Sequence, residues 1–172
     1  MKAMVVYSSR TGNTKKVANG IFAGIPGESK DIQSLEEYDG KDADIFFAGF
    51  WTDKGTCDMS VVDFLSELHG KKVALFGTCG MGKDSEYMER IGKHVKVWIP
   101  EDCTYLGFYM CQGKMPMDVR RRYETMEKNG VEPEKVKMLL ANFDEALLHP
   151  DDRDVQNAAA FAKRMMEKAE SL

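Results

Sequence analysis

The stretch that decides the reading is VVYSSRTGNT, residues 5–14. It passes from an apolar pair and a tyrosine into hydroxyl side chains, an arginine, a glycine and an asparagine, and a helical pattern begins where it ends. Short polar side chains at a strand-to-helix turn can serve simply as a helix cap. The hydroxyls of Ser8, Ser9, Thr11 and Thr14 are more than one cap uses. With the Asn13 amide, and with Gly12 allowing close backbone approach, they set neutral donors beside a helix N-terminus whose N–H groups and dipole favour an anion. The set suits a dianionic phosphate. It is neither GxxxxGK[ST] nor GxGxxG, which counts against a nucleotide triphosphatase and a dinucleotide-binding Rossmann unit.

Outward from this turn, apolar runs of strand length alternate with helical periods, the pattern of βαβ units in a parallel sheet with helices on both faces. Strands are predicted at 2–7, weakly near 28–33, and at 44–50, 71–77 and 104–111. Helices are predicted at 13–24, with Val17, Ala18, Ile21 and Phe22 on one face, at 59–69 and at about 84–95. Gly24, Pro26 and Gly27 end the first helix. Charge density then rises, and residues 112–148 read as a helical insertion whose two helical periods are separated by NGVEP. A closing amphipathic helix follows Pro150. The whole, 1–172, is expected to be one domain.

Composition narrows the function. With 172 residues, 43% of them hydrophobic, the chain can bury a sizeable core. A net charge of −4 argues against nucleic acid, whose phosphates call for a basic face. ADIFFAGFW and KKVALFG are far shorter than the roughly 20 apolar residues of a membrane span, and MKAMVVYSSR lacks the apolar length of a signal peptide, so neither membrane nor export is expected and a cytoplasmic location is. Cys57, Cys79, Cys103 and Cys111 form no CxxC pair and have no histidine at ligand spacing, so no metal site is expected. They read as intracellular thiols, with Cys57 and Cys79 in loops near the site.

VVYSSRTGNTKKVA resembles the phosphate-loop signature of flavodoxins, specifically at Tyr7, Ser9, Thr11, Gly12, Asn13, Thr14 and Ala18. The resemblance implies an α/β flavodoxin-like three-layer sandwich. Its five-stranded parallel sheet has the order 2-1-3-4-5, with the helical insertion after strand 5. It also implies FMN as cofactor, with Ser8, Ser9, Arg10, Thr11, Gly12, Asn13 and Thr14 around the terminal phosphate. Arg10 stands where many members carry a small polar residue, so it either adds a charged contact or faces solvent. The likeness covers roughly 1–111 and 151–172 and weakens at 112–148. GFYMCQGK, 107–114, is similar to a branch of flavodoxin-like proteins from anaerobic bacteria, some encoded beside bilirubin reductase.

In that family the flavin ring lies between the loops after the third and fourth strands. The first corresponds to GFWTDKGTCD, 49–58: Trp51 is placed to stack on the ring, Thr52 and Asp53 follow it, and Lys54-Gly55 is a turn pair. The resemblance gives Gly55 the peptide that turns toward flavin N5 on one-electron reduction. The second corresponds to FGTCGMGKDSEY, 76–87, where Gly77, Gly80 and Gly82 around Thr78, Cys79 and Met81 let backbone N–H groups approach the ring, although the family's usual Gly-Asp pairing is absent. Tyr87 is either the outer stacking aromatic or a plain helix-surface tyrosine.

No Ser-His-Asp or Cys-His set stands in these loops, and His69, His94 and His149 fall at predicted helix ends. The chemistry then belongs to the cofactor. A pocket without a cation near N1, and with Asp53 and Asp58 close, disfavours the anionic reduced flavin. Lys54 and Lys83 oppose that effect if they point inward. The reading is a monomeric electron carrier with redox partner proteins, a flavodoxin reductase-type donor and an acceptor reductase. The alternatives are an FMN-dependent NAD(P)H:quinone or substrate reductase, and an accessory module of a reductase such as bilirubin reductase with little or no FMN.

Overall fold

Val5, Val6, Phe46, Phe47, Leu75 and Phe76 are all essentially inaccessible to solvent, and that double-sided burial is what strands need when helices cover both faces of a sheet. The computed structural model describes residues 1–82 and 84–172. Its strands are β1 (Ala3–Tyr7), β2 (Lys30–Ser34), β3 (Ile45–Trp51), β4 (Lys72–Cys79) and β5 (Thr104–Gln112), and all pair in parallel in the order β2-β1-β3-β4-β5. The helices are α1 (Asn13–Gly24), α2 (Met59–Ser66), α3 (Ser85–Lys96), α4 (Met117–Lys128), α5 (Pro133–Ala146) and α6 (Asp152–Glu170).

Side-chain alternation along the strands divides the core in two. Ala3, Val5, Ile45, Phe47, Ala74, Phe76 and Leu106 face α1 and α6. Met4, Val6, Phe46, Ala48, Phe50, Val73 and Leu75 face α2 and α3. The three-layer α/β sandwich expected from the sequence is therefore present, with the α4–α5 insertion after β5. Among the described residues no helix is long and apolar enough to cross a membrane.

Element ends differ where the ladder outruns the apolar pattern. β4 extends to Cys79 because β5 stays paired with it through Thr78↔Cys111 and Cys79↔Gln112. Thr78 and Cys79 thus belong to the strand, as Gly77 was expected to, and not to the glycine-rich loop. β3 likewise reaches Trp51, paired with Thr78. α2 is shorter than expected and stops at Ser66, although Leu68 beyond it is still buried. His69 accordingly lies past the helix, exposed beside Asp102 at 3.2 Å.

α1 and α6 approach closely because Gly20 and Gly24 present no side chain to the partner: a Cβ at Gly24 would collide with the Ala159 backbone. Gly24→Ala should therefore force the two helices apart and cost about 1–3 kcal/mol, the usual range for overpacking. A thermal melt should show a fall of roughly 3–10 °C, and an unchanged melt would contradict this packing.

The start of α6 is closed by a reciprocal cap. Asp151 accepts from the Asp154 N–H, and Asp154 accepts from the Asp151 N–H, each at 2.9 Å. His149 Nδ1 sits 2.6 Å from the Asp154 carboxylate, and its Nε2 lies 3.5 Å from Glu145 at the end of α5. The hydrogen bond to Asp154 holds the His149 pKa above the ordinary imidazole value. A pKa raised by folding stabilises the protein fully below the unfolded value of about 6.5 and loses that contribution as pH climbs through the folded value. The chain should thus lose stability across the pH range above about 6.5. His149→Asn should flatten that slope in melts taken across the range, and an equally steep slope in the variant would refute the assignment.

Candidate functional site

Because every strand of the sheet runs the same way, the loops after β1, β3, β4 and β5 all emerge at one edge, where β1 separates connections that run in opposite directions. There α1 begins at Gly12, whose φ of +91° suits glycine, and no side chain of its N-cap residue closes the helix. Ser9 Oγ accepts from the Lys15 N–H at 3.2 Å. Thr14, 1% exposed, and Thr78, 3% exposed, share a hydrogen bond of 2.9 Å between their hydroxyls. Two hydroxyls carry two protons and their mutual bond uses one, so the pair keeps a proton to donate.

Two recesses flank this turn and share Arg10 and Trp51. The smaller, about 220 Å³, is lined by Arg10, Thr11, Asn13, Trp51, Thr52, Asp53, Thr78, Cys79 and Gly80, and closed by Gly113, Lys114, Met115, Pro116 and Val119. The larger, about 640 Å³, opens toward the end of β2 and is lined by Tyr7, Ser8, Ser9, Gly12 and Lys15 together with Ser34, Leu35, Glu36, Glu37, Asp58 and Ser60. The smaller alone falls below the roughly 300 Å³ of ordinary ligand pockets. The partition between them is the Arg10 guanidinium, 5.3 Å from the Trp51 ring centroid. Such an exposed cation–π contact is worth only about 0.5–1 kcal/mol, little enough for a ligand to displace.

The structure brings most of the sequence-predicted residues to these recesses, with several in different roles. Ser8 donates to the Asp58 carboxylate at 3.2 Å and so belongs to the larger recess. Asn13 donates to the Lys114 carbonyl at 2.8 Å, which ties the turn to the segment after β5 and leaves its second N–H. Thr52 spends both its backbone N–H and its hydroxyl on the Thr78 carbonyl, at 2.9 and 2.8 Å. Lys54 and Gly55 form a tight turn closed by Asp53 and Thr56, both with positive φ, and the Gly55 carbonyl accepts from His94 Nδ1 at 3.0 Å. Neither lines either recess. Met81 and Gly82 stand one step behind Gly80, held by Asn142. Tyr87 lies in the first turn of α3, packed on the α2–α3 side of the core with Arg90 5.9 Å from its ring centroid, and is not brought to the site.

No cation was expected near flavin N1; the smaller recess is lined by Arg10, which was expected at the phosphate, and by Lys114, which was not singled out. Asp53 shares it and Asp58 lines the larger one; the expectation for Lys83 lies outside the described residues. Burial raises the Cys79 thiol to about 12 and Cys57 to about 11, so both are neutral and weakly nucleophilic. Gly113, Lys114 and Met115 were missed because nothing in their composition marks a ligand wall. The GK pair in GFYMCQGK, just past an apolar strand, was the available signal.

A flavodoxin domain model matches residues 4–163. The chain belongs to the flavodoxin family. It is 40% identical over 173 residues, 98% of each chain, to the flavodoxin-like domain-containing protein BilS of Clostridioides difficile strain CD3. It is 34% identical over 175 residues, 90% of each chain, to the protein of the same name from Clostridium symbiosum strain WAL-14163. Among solved structures, a Streptococcus pneumonia TIGR4 flavodoxin superposes with a TM-score of 0.62 at 17% identity, covering 98% of this chain and 99% of that one. A flavodoxin from the domain Archaea does so with a TM-score of 0.56 at 20% identity, covering 99% of each. These two likenesses concern the fold.

Family membership makes FMN the cofactor, and the donors fit it. A helix N-terminus that its N-cap glycine leaves open, the spare Thr14/Thr78 proton and Arg10 are what a phosphate dianion needs. Replacing both Thr11 and Thr14 with alanine should weaken FMN binding by roughly 1–3 kcal/mol per lost bond, on the order of 100-fold together, and leave riboflavin affinity unchanged. Fluorescence titration of both flavins checks this: equal losses for the two would move the phosphate elsewhere.

Proposed function

We propose that the chain is a one-electron carrier that uses FMN, taking electrons from a flavodoxin reductase-type donor and passing them to an acceptor reductase. The observation that carries the reading is the phosphate-type turn at the start of α1, set at the sheet edge beside Trp51 and the end of β4. When bound, the isoalloxazine takes up and releases electrons singly. The turn would hold the phosphate through Thr11, Asn13, the Thr14/Thr78 pair and Arg10. Trp51 would offer an aromatic face to the ring, and Gly80 a close backbone approach to it. Buried, neutral Cys79 lines the recess without offering a thiolate to the flavin. Asp53 and Lys114 line the same recess with opposite charges, and their balance would tune the potential of the bound flavin.

The likeness of residues 107–114 to proteins encoded beside bilirubin reductase makes such a reductase the acceptor to try first. Four free cysteines suit a reducing cytoplasm. The role of carrier places the molecule in solution as a monomer between encounters.

A second reading has its own support. The 640 Å³ recess shares Trp51 with the flavin recess and has room for a second substrate, as an NAD(P)H:quinone reductase needs. Stepwise anaerobic reduction of the FMN-loaded protein separates the two. A long-wavelength absorption band at half reduction, with no steady NADPH oxidation in the presence of a quinone, is the expected result. Direct passage to the two-electron form with sustained NADPH turnover would instead establish the reductase.

A further inference from the structure

We infer that Asn142, in the insertion helix α5, is a positioning residue for the cofactor site: it fixes the short loop after β4 whose Gly80 borders the smaller recess. The inference rests on the flavin reading above and gives the insertion a part in it.

Asn142 makes four contacts, one each to Gly80, Met81, Gly82 and Gln112. Its Oδ1 accepts from the Gly82 N–H at 3.3 Å and from Gln112 Nε2 at 3.1 Å. Its Nδ2 donates to the Gly80 carbonyl at 3.0 Å and to the Met81 sulfur at 3.3 Å. A backbone N–H only donates and a carbonyl only accepts, so the loop itself dictates which way the amide is turned. Gln112, 5% exposed at the end of β5, donates to the same Gly80 carbonyl at 2.9 Å. The Asn142, Gln112 and Gly80 groups thereby close a small network in which each member orients the others.

The backbone ladder between β4 and β5 ends at the Cys79↔Gln112 pair, so beyond it the loop is held by side chains: Gln112 on the Gly80 carbonyl, the Cys79 thiol on the Met81 carbonyl at 3.3 Å, and Asn142. Its glycines let the insertion come close: a Cβ on Gly82 would strike the Gln112 amide, and one on Gly80 would strike Met115. At the other end, Phe143 follows Asn142 directly and is fully buried, as are Val136 and Ala146, so α5 is a firm base for the strut. Asn142 does not itself line the recess. It acts through Gly80, and its effect belongs to the ring and not to the phosphate.

Three measurements on the full chain test this. Amide hydrogen exchange on flavin-free protein should show the Gly82 N–H exchanging at least about tenfold faster in Asn142→Ala. FMN and riboflavin affinities should both fall by the same factor, about tenfold, unlike the phosphate-turn variants, which affect FMN alone. Asn142→Asp keeps the acceptor for Gly82 but sets an oxygen against the Gly80 carbonyl, so it should not restore affinity. Phe143→Leu serves as a control that loosens α5 without touching the loop. Unchanged exchange and flavin affinity in Asn142→Ala would overturn the inference. So would affinity losses in Phe143→Leu equal to those of Asn142→Ala at equal loss of melting temperature. If the wild-type chain binds neither flavin, the cofactor assignment itself fails, and the inference with it.

Discussion

The structure depends on one arrangement of hydrogen bonds: five strands paired in parallel, with β1 between β2 and β3. Parallel pairing requires crossover connections, and these put helices on both faces and all the strand carboxyl ends on one edge. The buried aliphatic and aromatic residues follow from that covering. So does the crevice, because connections leaving β1 and β3 in opposite directions part at the position where residues 8–14 stand. Stability and ligand site are thus two results of the same ladder.

Within the crevice, polar groups are economically shared. The Thr14 hydroxyl, in the first turn of α1, and the Thr78 hydroxyl, near the end of β4, share one hydrogen bond. Asn13 reaches the segment after β5, and Thr52 reaches the Thr78 carbonyl. Each of these ties converts a surface turn into part of a rigid edge, which is the condition for binding an anion without reordering it. Arg10 on Trp51 is the exception, a weakly held pair that divides an otherwise continuous depression.

The insertion changes how the site is understood. α4 has no buried residue and packs chiefly on α5, which looks like an appendage when judged by burial alone. Yet the segment leading into it supplies a wall of the recess, and Asn142 on α5 contacts the loop after β4. His149, at the far end of α5, ties the same helix to the cap of α6. Hydrogen bonds at both ends therefore join the insertion to the sandwich.

How much of this was legible follows from the range of each interaction. The turn at 8–14 and the strand and helix periods are local, written in residue types a few positions apart, and from them came the α/β class, the helix faces and the candidate phosphate turn, while the sheet order came from the resemblance to flavodoxins. Strand ends were misjudged at Thr78 and Cys79, since a strand extends as far as its neighbour pairs with it, and the neighbour lies thirty-three positions along the chain at Cys111 and Gln112. Tyr87 was an ambiguous aromatic because helix phase, invisible until α3 is docked, turns it to the core. Asn142 carried no signal at all: an asparagine in a charged helix is chemically ordinary, and only its arrival beside Gly80, sixty-two residues earlier, makes it part of the site. The sequence alone determined the fold class and marked the candidate anion-binding turn, because both rest on local periodicity and capping chemistry. Only the tertiary structure decided which residues complete the recess, because those contacts exist by virtue of chain segments brought together across the sheet.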